Sequence, residues 1–503
     1  MVFNSWFFIF VYLPVLLLGR FGLNRVNHRA ADVFLIGMSL WFYGCFGWEN
    51  LAVLLVSIVM NYTIGCRIEG KRWLLAAGIA ANLVLLSWFK YAADVITAAG
   101  EFAGTDSSLL PAFMTLALPV GLSFYTFTQI SYLIDRCRAE IAQDSFLIYV
   151  LYASYFPKLI EGPITRYEEI TSQLKDDSLR RFDAENFTRG LILFIFGLGK
   201  KVLIADVLSP SVTYALESVY YLDTLSVIVT MTGYILQLYM DFSGFCDMAM
   251  GISRMLNIRL PLNFDAPLRS VSYSDLWHRW HMSLNRFFTR YIYIPLGGSR
   301  RGTLWTFVNT ILVFLLSGLW HGTGANYLVW GAVCGLLVFL SNRYEKMHPA
   351  NLRPTVRESG TGRHPFLQDP GWKRLRTIVI FALSMTFFAA SSLNDALIMF
   401  RQLLVPRFPG WLYRMAGQLD ASEFWVINKA ISLLLPSLEN PAALAELLLV
   451  ITAALILVLQ PKTAAMISES ITLSTRNAVL IGILAVWCLT SLSGVSTFMY
   501  FQY

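Results

Sequence analysis

The sequence predicts an all-α polytopic membrane protein with about 11–12 transmembrane helices and additional re-entrant and interfacial helices. Two observations support this prediction. Of the 503 residues, 56% are hydrophobic and only 14% are charged, whereas a soluble domain carries about a quarter charged residues. Long apolar runs also recur along the chain, and the connections between them differ in their content of Lys and Arg. Lipid must therefore be the solvent for much of the surface.

About twelve apolar runs are long enough to cross a bilayer, which takes roughly 17–25 mostly apolar residues. They lie near residues 3–19, 32–48, 50–66, 73–90, 109–134, 188–205, 223–241, 305–321, 324–341, 376–397, 443–460 and 479–500. The first run lacks the charged leading segment and the cleavage site of a signal peptide, so we expect a membrane helix there. Because no internal repeat or low-complexity tract occurs, we expect one membrane domain over residues 1–503.

The basic residues predict the orientation, because cytoplasmic loops are enriched in Lys and Arg. Basic clusters follow the first, third and fifth runs, whereas residues 92–108 and 206–222 contain no Lys or Arg. The two longest basic stretches, 252–304 and 342–376, are therefore predicted to be cytoplasmic, and both termini are predicted to lie outside. The net charge of +7 then reflects membrane topology and does not indicate nucleic-acid binding.

One further apolar segment, 145–160, is predicted not to cross the membrane. Basic residues stand on both sides of it, with Arg138 before and Arg166 after, so both flanks favour the cytoplasm. The pairs Phe156-Pro157 and Gly162-Pro163 would interrupt a helix. A re-entrant hairpin fits these features. Irregular backbone at membrane depth is tolerated where protein or water satisfies it, so a cavity is implied.

Several kinds of site find no support in the sequence. The six cysteines are scattered without a C-x-x-C pair, which argues against a disulfide framework and against a cysteine metal site. No Walker motif, G-x-S-x-G elbow or G-x-G-x-x-G unit is present, so a serine nucleophile or a nucleotide-binding loop is not indicated.

The six histidines can be considered one by one. His28, His348 and His364 fall in polar basic stretches and are predicted to be solvated. His321 ends the apolar run 307–320, where an ionisable group is costly and indicates a functional site. Neutral imidazole suits general base catalysis or transient acceptance of an acyl group. The alternative for His321 is a structural histidine hydrogen-bonded between helices.

His278 and His281 are three residues apart, so on a helix they would share one face. A metal pair with Asp275 is conceivable, but Arg279 and the basic surroundings disfavour a cation. Zinc also normally takes at least three protein ligands. We therefore predict no metal site. One imidazole is expected to face the cavity and the other to pack among the neighbouring tryptophans.

Polar side chains also interrupt the apolar pattern near the end of the run 223–241. They include Gln237, Asp241, Ser243 and Asp247. Two readings stay open for this group, namely a network at a helix end or the polar wall of a funnel. The structural interpretation is favoured, since neighbouring arginines could pair with the acids.

Several ordered motifs together resemble the membrane-bound O-acyltransferase family, and in particular its bacterial branch that contains alginate O-acetyltransferase. The motifs are Leu118-Pro119-Val120-Gly121-Leu122-Ser123-Phe124-Tyr125, Glu161-Gly162-Pro163-Ile164-Thr165-Arg166, Met240-Asp241-Phe242-Ser243-Gly244, Asp275-Leu276-Trp277-His278-Arg279-Trp280-His281-Met282-Ser283-Leu284, Tyr293-Ile294-Pro295-Leu296-Gly297-Gly298 and Gly318-Leu319-Trp320-His321-Gly322. The resemblance is strong over 1–340 and weaker over 341–503. Two departures, Thr289-Arg290-Tyr291 and Glu161, weaken any transfer of substrate identity.

The resemblance implies a helical shell around a central tunnel, with His321 and His281 as the catalytic histidines. His321 would remove the acceptor hydroxyl proton or take the acyl group itself, while His281 would orient the donor or stabilise charge on the thioester carbonyl. We expect eight further side chains to line the tunnel or contact substrate: Trp277, His278, Trp280, Ser283, Trp320, Gln237, Asp241 and Ser243.

The resemblance also implies the reaction partners. No cofactor is expected to stay bound, and the acyl donor would be acetyl-CoA or an acylated carrier protein on the cytoplasmic side of a bacterial inner membrane. The acceptor would be an exported polysaccharide, reached through a periplasmic partner of the SGNH-hydrolase type. D-alanyl transfer toward teichoic acid is the main alternative within the family. A transporter or flippase without covalent chemistry is the alternative outside it, and a membrane scaffold is a third.

Overall fold

The computed structural model describes residues 1–103, 118–348, 369–406 and 410–492, and within these ranges the regular structure is helical without strands. The described chain divides into two compact units. The first comprises Met1–Phe196 and Phe245–Pro261, and the second comprises Gly197–Gly244 and residues 262–492. The chain is thus an all-α membrane protein, as predicted. That the whole of it acts as one membrane domain stays a prediction.

The first part of the chain contains mostly apolar helices with short connections. Their bounds are Phe8–Tyr12, Leu13–Asn24, His28–Gly44, Trp48–Gly65, Arg72–Ala103, Leu122–Cys137, Phe146–Ser154, Phe156–Leu159, Tyr167–Lys175, Asp177–Arg180 and Ala184–Lys200. Local capping fixes several starts. Asn27, for example, accepts hydrogen bonds from the backbone N–H groups of Arg29 and Ala30, which satisfies two of the amides that a helix start leaves open.

The second part of the chain continues with helices of more varied length. Their bounds are Lys201–Ala205, Asp206–Glu217, Val219–Tyr221, Thr224–Met255, Pro267–Arg269, Tyr273–Arg279, Met282–Phe288, Thr289–Tyr293, Thr303–His321, Ala325–Met347, Pro370–Ala389, Leu393–Gln402, Gly410–Ala416, Ser422–Phe424, Trp425–Leu434, Pro436–Leu438, Glu439–Val458, Ala464–Ser470 and Thr475–Thr490. The predicted runs 109–134 and 479–500 lie partly outside the described residues.

Among the described residues, six helices are long and apolar enough to cross a membrane. They are Trp48–Gly65, Thr224–Met255, Thr303–His321, Ala325–Met347, Glu439–Val458 and the part Arg72–Ala92 of a longer helix. Shorter apolar helices add Phe8–Asn24, Trp425–Leu434 and Thr475–Thr490. In the most apolar 18-residue stretch of Thr224–Met255, 83% of the residues are buried, whereas the buried share is 17–33% in the other five helices. That helix therefore faces protein along most of its length, while the others expose apolar side chains as lipid contact requires.

The segment predicted to be re-entrant consists of two short helices, Phe146–Ser154 and Phe156–Leu159. Tyr155 interrupts them with a non-helical ψ of 102°, and Pro157 follows near the start of the second helix. Neither helix reaches the roughly 17 residues that a crossing needs. The break therefore falls where the sequence predicted it.

Three boundaries differ from the sequence prediction. The run 223–241 continues as a helix to Met255, so its polar residues lie inside the helix and not at its end. Residues 206–217, predicted as an exterior connection, are also helical. The run 376–397 is broken at Ala390, whose backbone is extended, and Ser392 caps the next helix by accepting from Asp395 N. Asn326 stabilises this break by donating its side-chain N–H to the Ala390 carbonyl at 2.9 Å.

Candidate active site

His321 is the last residue of the helix Thr303–His321, and its side chain is buried with 4% exposure. Three aromatic rings contact its imidazole. Trp330 and Phe388 approach nearly edge-on, with centroid distances of 5.3 Å and 5.0 Å, and Trp320 lies at 4.6 Å. The aromatic rings exclude water from this imidazole, which lies at the end of a membrane helix. Both features favour a catalytic role for His321.

Close packing of two helices sets the position of His321. At Gly318, one turn earlier, an added Cβ would lie 2.3 Å from the Tyr327 carbonyl oxygen on the next helix, Ala325–Met347. At Gly331 an added Cβ would lie 2.4 Å from the Phe314 carbonyl oxygen. Glycine at such positions lets two membrane helices approach at backbone contact. Close backbone contacts with the helix Ala325–Met347, at Gly318 on one helix and at Gly331 on the other, therefore hold the end of the helix Thr303–His321.

His281 lies at a junction between two short helices. The helix Tyr273–Arg279 ends before it, and the helix Met282–Phe288 begins after it. His281 itself has a left-handed backbone with φ 45° and ψ 51°. The prediction that His278 and His281 share one helix face is therefore wrong. A non-glycine residue in this conformation costs about 1–3 kcal/mol and persists where its surroundings fix it, commonly at functional sites.

Asn263 fixes the His281 junction through its side chain. Its Oδ1 lies 3.2 Å from His281 Nδ1 and accepts hydrogen bonds from Ser283 N at 3.1 Å and from Ser283 Oγ at 2.8 Å. His281 is 4% exposed, and burial lowers its pKa to about 3 because an imidazolium is disfavoured away from water. The His281 ring is therefore neutral at neutral pH.

Trp320 connects the two histidines. Its ring centroid lies 6.4 Å from that of His281 and 4.6 Å from that of His321. On its other side, the His281 ring meets Phe242 at 4.8 Å in an edge-on contact. The two imidazoles thus belong to one buried aromatic cluster, although His281 lies at a junction between two short helices and His321 ends a long one. The structure therefore brings together the two histidines predicted to be catalytic and Trp320, one of the predicted lining residues.

The two other predicted tryptophans lie in the same cluster. Trp277 packs against Trp330, the ring that contacts His321, with a centroid distance of 5.9 Å. Trp280 packs edge-on against Phe264 at 5.2 Å, and Phe264 lies 6.5 Å from His281. Both tryptophans are buried. They contact the rings around the histidines and not the histidines themselves.

His278 is separated from this cluster. Its side chain is exposed, and its Nδ1 lies 2.7 Å from the Ser274 carbonyl oxygen on its own helix. Of the histidines predicted to be solvated, His28 is exposed as expected, whereas His348 is half-buried and stacks on Tyr344. His364 lies outside the described residues.

The predicted polar residues of Thr224–Met255 are buried and mostly paired with lysines. Asp241 forms an ion pair with Lys201 Nζ at 2.7 Å, and Lys201 also reaches Asp206 at 2.9 Å. Ser243 Oγ accepts a hydrogen bond from Lys200 Nζ at 3.3 Å. The described partner of Asp241 is therefore a lysine, whereas the sequence suggested arginines, and Lys201, at 2% exposure, is enclosed with it. Phe242, between Asp241 and Ser243, is the residue of this helix that contacts His281.

Gln237 is also buried on this helix, at 3% exposure. Its Oε1 has no hydrogen-bond partner among the described residues. Unpaired buried polar atoms are uncommon in proteins and call for a water or ligand. This observation is compatible with the predicted tunnel wall, which stays a prediction.

Sequence reasoning missed four residues that shape the site: Asn263, Phe242, Trp330 and Phe388. Asn263 lies between Leu262 and Phe264 in the basic stretch 252–304. A polar residue between two apolar ones was the one available signal of a buried amide with hydrogen-bond partners. The aromatic residues are indistinguishable from ordinary core residues in the sequence. In the ranges that the structure describes, no three His, Cys, Asp or Glu side chains are grouped so as to hold a metal ion.

The fold is that of an integral membrane protein with two histidines in one buried aromatic cluster, and comparison with known proteins identifies the family. Residues 136–358, which contain both histidines, match the membrane-bound O-acyltransferase family. The peptidoglycan O-acetyltransferase of Helicobacter pylori is 34% identical, over 79% of this chain and 78% of that protein. The chain therefore belongs to the membrane-bound O-acyltransferase family, as its motifs predicted, and it is an acyltransferase.

Other relatives differ in the polymer that their names specify. A probable alginate O-acetylase of Pseudomonas aeruginosa is 36% identical over 67% of this chain and 65% of its own length. A teichoic acid D-alanyltransferase of Bacillus subtilis is 22% identical over 68% of this chain and 88% of its own length. The O-acetyl-transferring relatives are thus clearly more similar than the D-alanyl-transferring one.

Proposed function

We propose that this acyltransferase moves an acetyl group from a cytoplasmic thioester donor, acetyl-CoA or an acetylated carrier protein, toward an exported polysaccharide. The main support for the proposal is that His321 is enclosed at the end of a membrane helix. The ring of Trp320 contacts both His321 and a second buried histidine, His281. The relatives named for O-acetyl transfer support acetyl as the group, since they share 34–36% of residues against 22% for the D-alanyl-transferring relative.

In the proposed reaction, His321 accepts the proton of the acceptor hydroxyl as its oxygen attacks the thioester carbonyl carbon. A C–O bond forms, the C–S bond breaks, and the proton passes from His321 to the leaving thiolate. If His321 is acylated first, a C–N bond to the imidazole forms as the C–S bond breaks, and the N–H proton of the imidazole passes to the leaving thiolate. The acceptor hydroxyl then forms the C–O bond as the C–N bond breaks, and its proton returns to the imidazole. General base assistance contributes about 10²–10⁴-fold in rate. Alignment of donor and acceptor within an enclosed site adds to this.

His281 serves the same reaction in one of two ways. It either orients the donor, or it stabilises the charge that develops on the thioester oxygen. Stabilising that charge requires an N–H aimed at the oxygen, whereas orienting an N–H or O–H of the substrate requires a lone pair on the imidazole. The two roles therefore need different protonation at the ring nitrogen that faces the substrate.

The direction of transfer follows from the distribution of charge. Exposed Arg300 and Arg301 precede the helix that ends at His321, and basic residues mark cytoplasmic connections. They would also attract a phosphate-bearing donor. In this orientation both termini lie outside a bacterial inner membrane, and the acetyl group leaves toward the periplasm. A periplasmic protein of the SGNH-hydrolase type, or the polysaccharide itself, would receive it there.

D-alanyl transfer toward teichoic acid is the second candidate, supported by the more distant relative from Bacillus subtilis. The donor distinguishes the two, because D-alanyl transfer needs an aminoacylated carrier. The transporter and scaffold alternatives do not account for membership of an acyltransferase family.

Thioester turnover by the purified full chain in proteoliposomes tests the proposal. Acetyl-CoA would be supplied at the basic face, a soluble polysaccharide at the other, and free thiol release and polymer-bound acetyl would both be measured. We expect His321→Ala to lower kcat about 10²–10⁴-fold, because general base assistance is lost. Exposed His28 provides the control, since His28→Ala also removes an imidazole but should leave turnover unchanged.

Folding of each variant would be checked by monodispersity and thermal stability in detergent. Equal turnover by folded His321→Ala and wild type would contradict the proposed role of His321. Turnover with a D-alanylated carrier protein but not with acetyl-CoA or an acetylated carrier would favour the second candidate.

A further inference from the structure

Three hydrogen-bonding groups at and beside His281 lie within hydrogen-bond distance of the side-chain oxygen of Asn263. Ser283 N and Ser283 Oγ lie 3.1 Å and 2.8 Å from Asn263 Oδ1, and His281 Nδ1 lies 3.2 Å from the same atom. All three residues are buried. The environment of His281 Nδ1 is therefore set by one amide, 18 residues earlier in the chain.

The identity of the atom facing Ser283 decides the protonation of the His281 ring. A backbone N–H can only donate, so the Asn263 atom that faces Ser283 N must be the amide oxygen and not the amide nitrogen. The same oxygen faces His281 Nδ1, and an amide oxygen can only accept. His281 Nδ1 must therefore carry the hydrogen. In a neutral ring, the lone pair then belongs to Nε2.

Backbone hydrogen bonds hold Asn263 and His281 in this register. Met282 N donates to the Asn263 carbonyl at 2.9 Å, and Asp265 N donates to the Arg279 carbonyl at 3.0 Å. These two bonds join the segment that contains Asn263 to both sides of the left-handed His281. The rare backbone conformation of His281 is thereby over-determined, as expected where a precise ring placement is required.

We propose that Asn263 is a positioning residue that holds His281 as the neutral Nδ1–H tautomer, so that Nε2 accepts a hydrogen bond from the substrate and does not donate one. No comparison assigns a role to Asn263. The chemical consequence rests on the proposed function, in which His281 acts on the thioester or on the attacking group.

This tautomer selects one of the two roles open to His281. An Nε2 atom that carries no hydrogen cannot donate a hydrogen bond to a developing thioester oxyanion. His281 is therefore not the group that stabilises that charge. It instead receives an N–H or O–H of the bound substrate and so orients it beside His321. Burial of His281 supports the same tautomer. An imidazolium would carry a hydrogen on Nε2 as well, and burial disfavours that charged form.

Nitrogen NMR of the full chain in lipid, with ring-¹⁵N-labelled histidine, tests the tautomer directly. The signals of His281 would be identified by their loss in His281→Gln. In the wild type at pH 7 we expect a protonated Nδ1 and a bare Nε2. A protonated Nε2 in the wild type, whether as the other neutral tautomer or as imidazolium, would overturn the proposal.

Two variants test the part that Asn263 plays. Asn263→Ala removes the acceptor, so the Nε2–H form should appear in the His281 spectrum and kcat for thioester turnover should fall about 10²-fold, the loss expected when a reacting group is misplaced by about 1 Å. Asn263→Asp keeps an acceptor oxygen and should keep Nδ1 protonated. A His281 spectrum unchanged in folded Asn263→Ala, or a bare Nδ1 in Asn263→Asp, would contradict the proposal.

Asn309 offers a matched control. It is a buried asparagine, at 2% exposure, on the helix that ends at His321, and its side chain donates to the Gly298 carbonyl. Asn309→Ala should leave the His281 signals unchanged. The NMR measurement does not depend on turnover. The proposed role of Asn263 and the proposed acetyl transfer can therefore be contradicted separately. Active His321→Ala with the expected His281 tautomer would contradict only the proposed function.

Discussion

The two buried histidines of this acyltransferase differ in the contacts that the structure describes around them. His321 sits at the end of a long apolar helix, where glycine contacts with the next helix fix the backbone and aromatic rings enclose the imidazole. His281 sits between two short helices, where the side chain of Asn263 hydrogen-bonds to its ring and to the following serine. Both side chains are 4% exposed, so burial alone does not distinguish them.

The difference indicates a division of labour between the two histidines. The ring contacts described for His321 set the position of its imidazole, and the role proposed for His321 requires this ring to gain and lose a proton. A hydrogen bond to one ring nitrogen fixes the tautomer, and that suits a group with a constant role, as proposed for His281. Variants that change packing and variants that change hydrogen bonding should therefore have separable effects.

The largest packing effect is expected from Gly318→Ala, one turn before His321. Its Cβ would lie 2.3 Å from the Tyr327 carbonyl oxygen, a backbone atom that cannot rotate away. The helices must separate, and overpacking of this kind costs about 1–3 kcal/mol. A shift of about 1 Å at the reacting group lowers turnover about 10²-fold. Thioester turnover and thermal stability would be measured on the same preparations.

Gly482→Ala is the control for this substitution, because its Cβ would meet nothing within 4 Å in the helix Thr475–Thr490. Alanine there should stabilise the helix by about 0.5–1 kcal/mol and leave turnover unchanged. If Gly318→Ala retains full turnover, backbone contact does not determine the position of His321. The His281 tautomer should be the same in both variants.

A smaller effect is expected from Trp320→Phe, at the ring that touches both histidines. Phenylalanine keeps an aromatic ring but loses part of the contact area. Aromatic pairs contribute about 0.5–1.5 kcal/mol beyond burial, so kcat should fall by about tenfold or less. Trp305→Phe, on the same helix but 51% exposed, should have no effect. Loss of activity equal to that of His321→Ala would instead indicate that Trp320 itself contacts the reacting groups.

The sequence predicted the membrane fold and His321 because both depend on local pattern. Apolar runs of spanning length are visible directly, and an imidazole at the end of such a run is costly enough to indicate function. The break at Tyr155 was foreseen for the same reason, since Pro157 interrupts a helix locally. Where the sequence prediction was wrong, distant partners decided the outcome. Thr224–Met255 continues through Asp241 because Lys201, 40 residues earlier, neutralises the buried carboxylate.

The arrangement around His281 could not be predicted for the same reason. The spacing of His278 and His281 suggested a shared helix face, but hydrogen bonds from the segment of Asn263 end the first helix before His281 is reached. Trp330 and Phe388 come from separate later helices and carry no local signal. Contacts between positions far apart in the chain are therefore the part of the site that the sequence leaves open.

The most direct test of the account is a double-mutant cycle on thioester turnover with His321→Ala, His281→Ala and the double variant. Residues that act in one chemical step are strongly non-additive, because removal of either already disables the step. We predict that each single variant lowers kcat by about 10²-fold or more and that the double variant is no slower than His321→Ala. Losses that multiply in the double variant, or a folded His321→Ala with wild-type turnover, would contradict the claim that the two histidines form one active site.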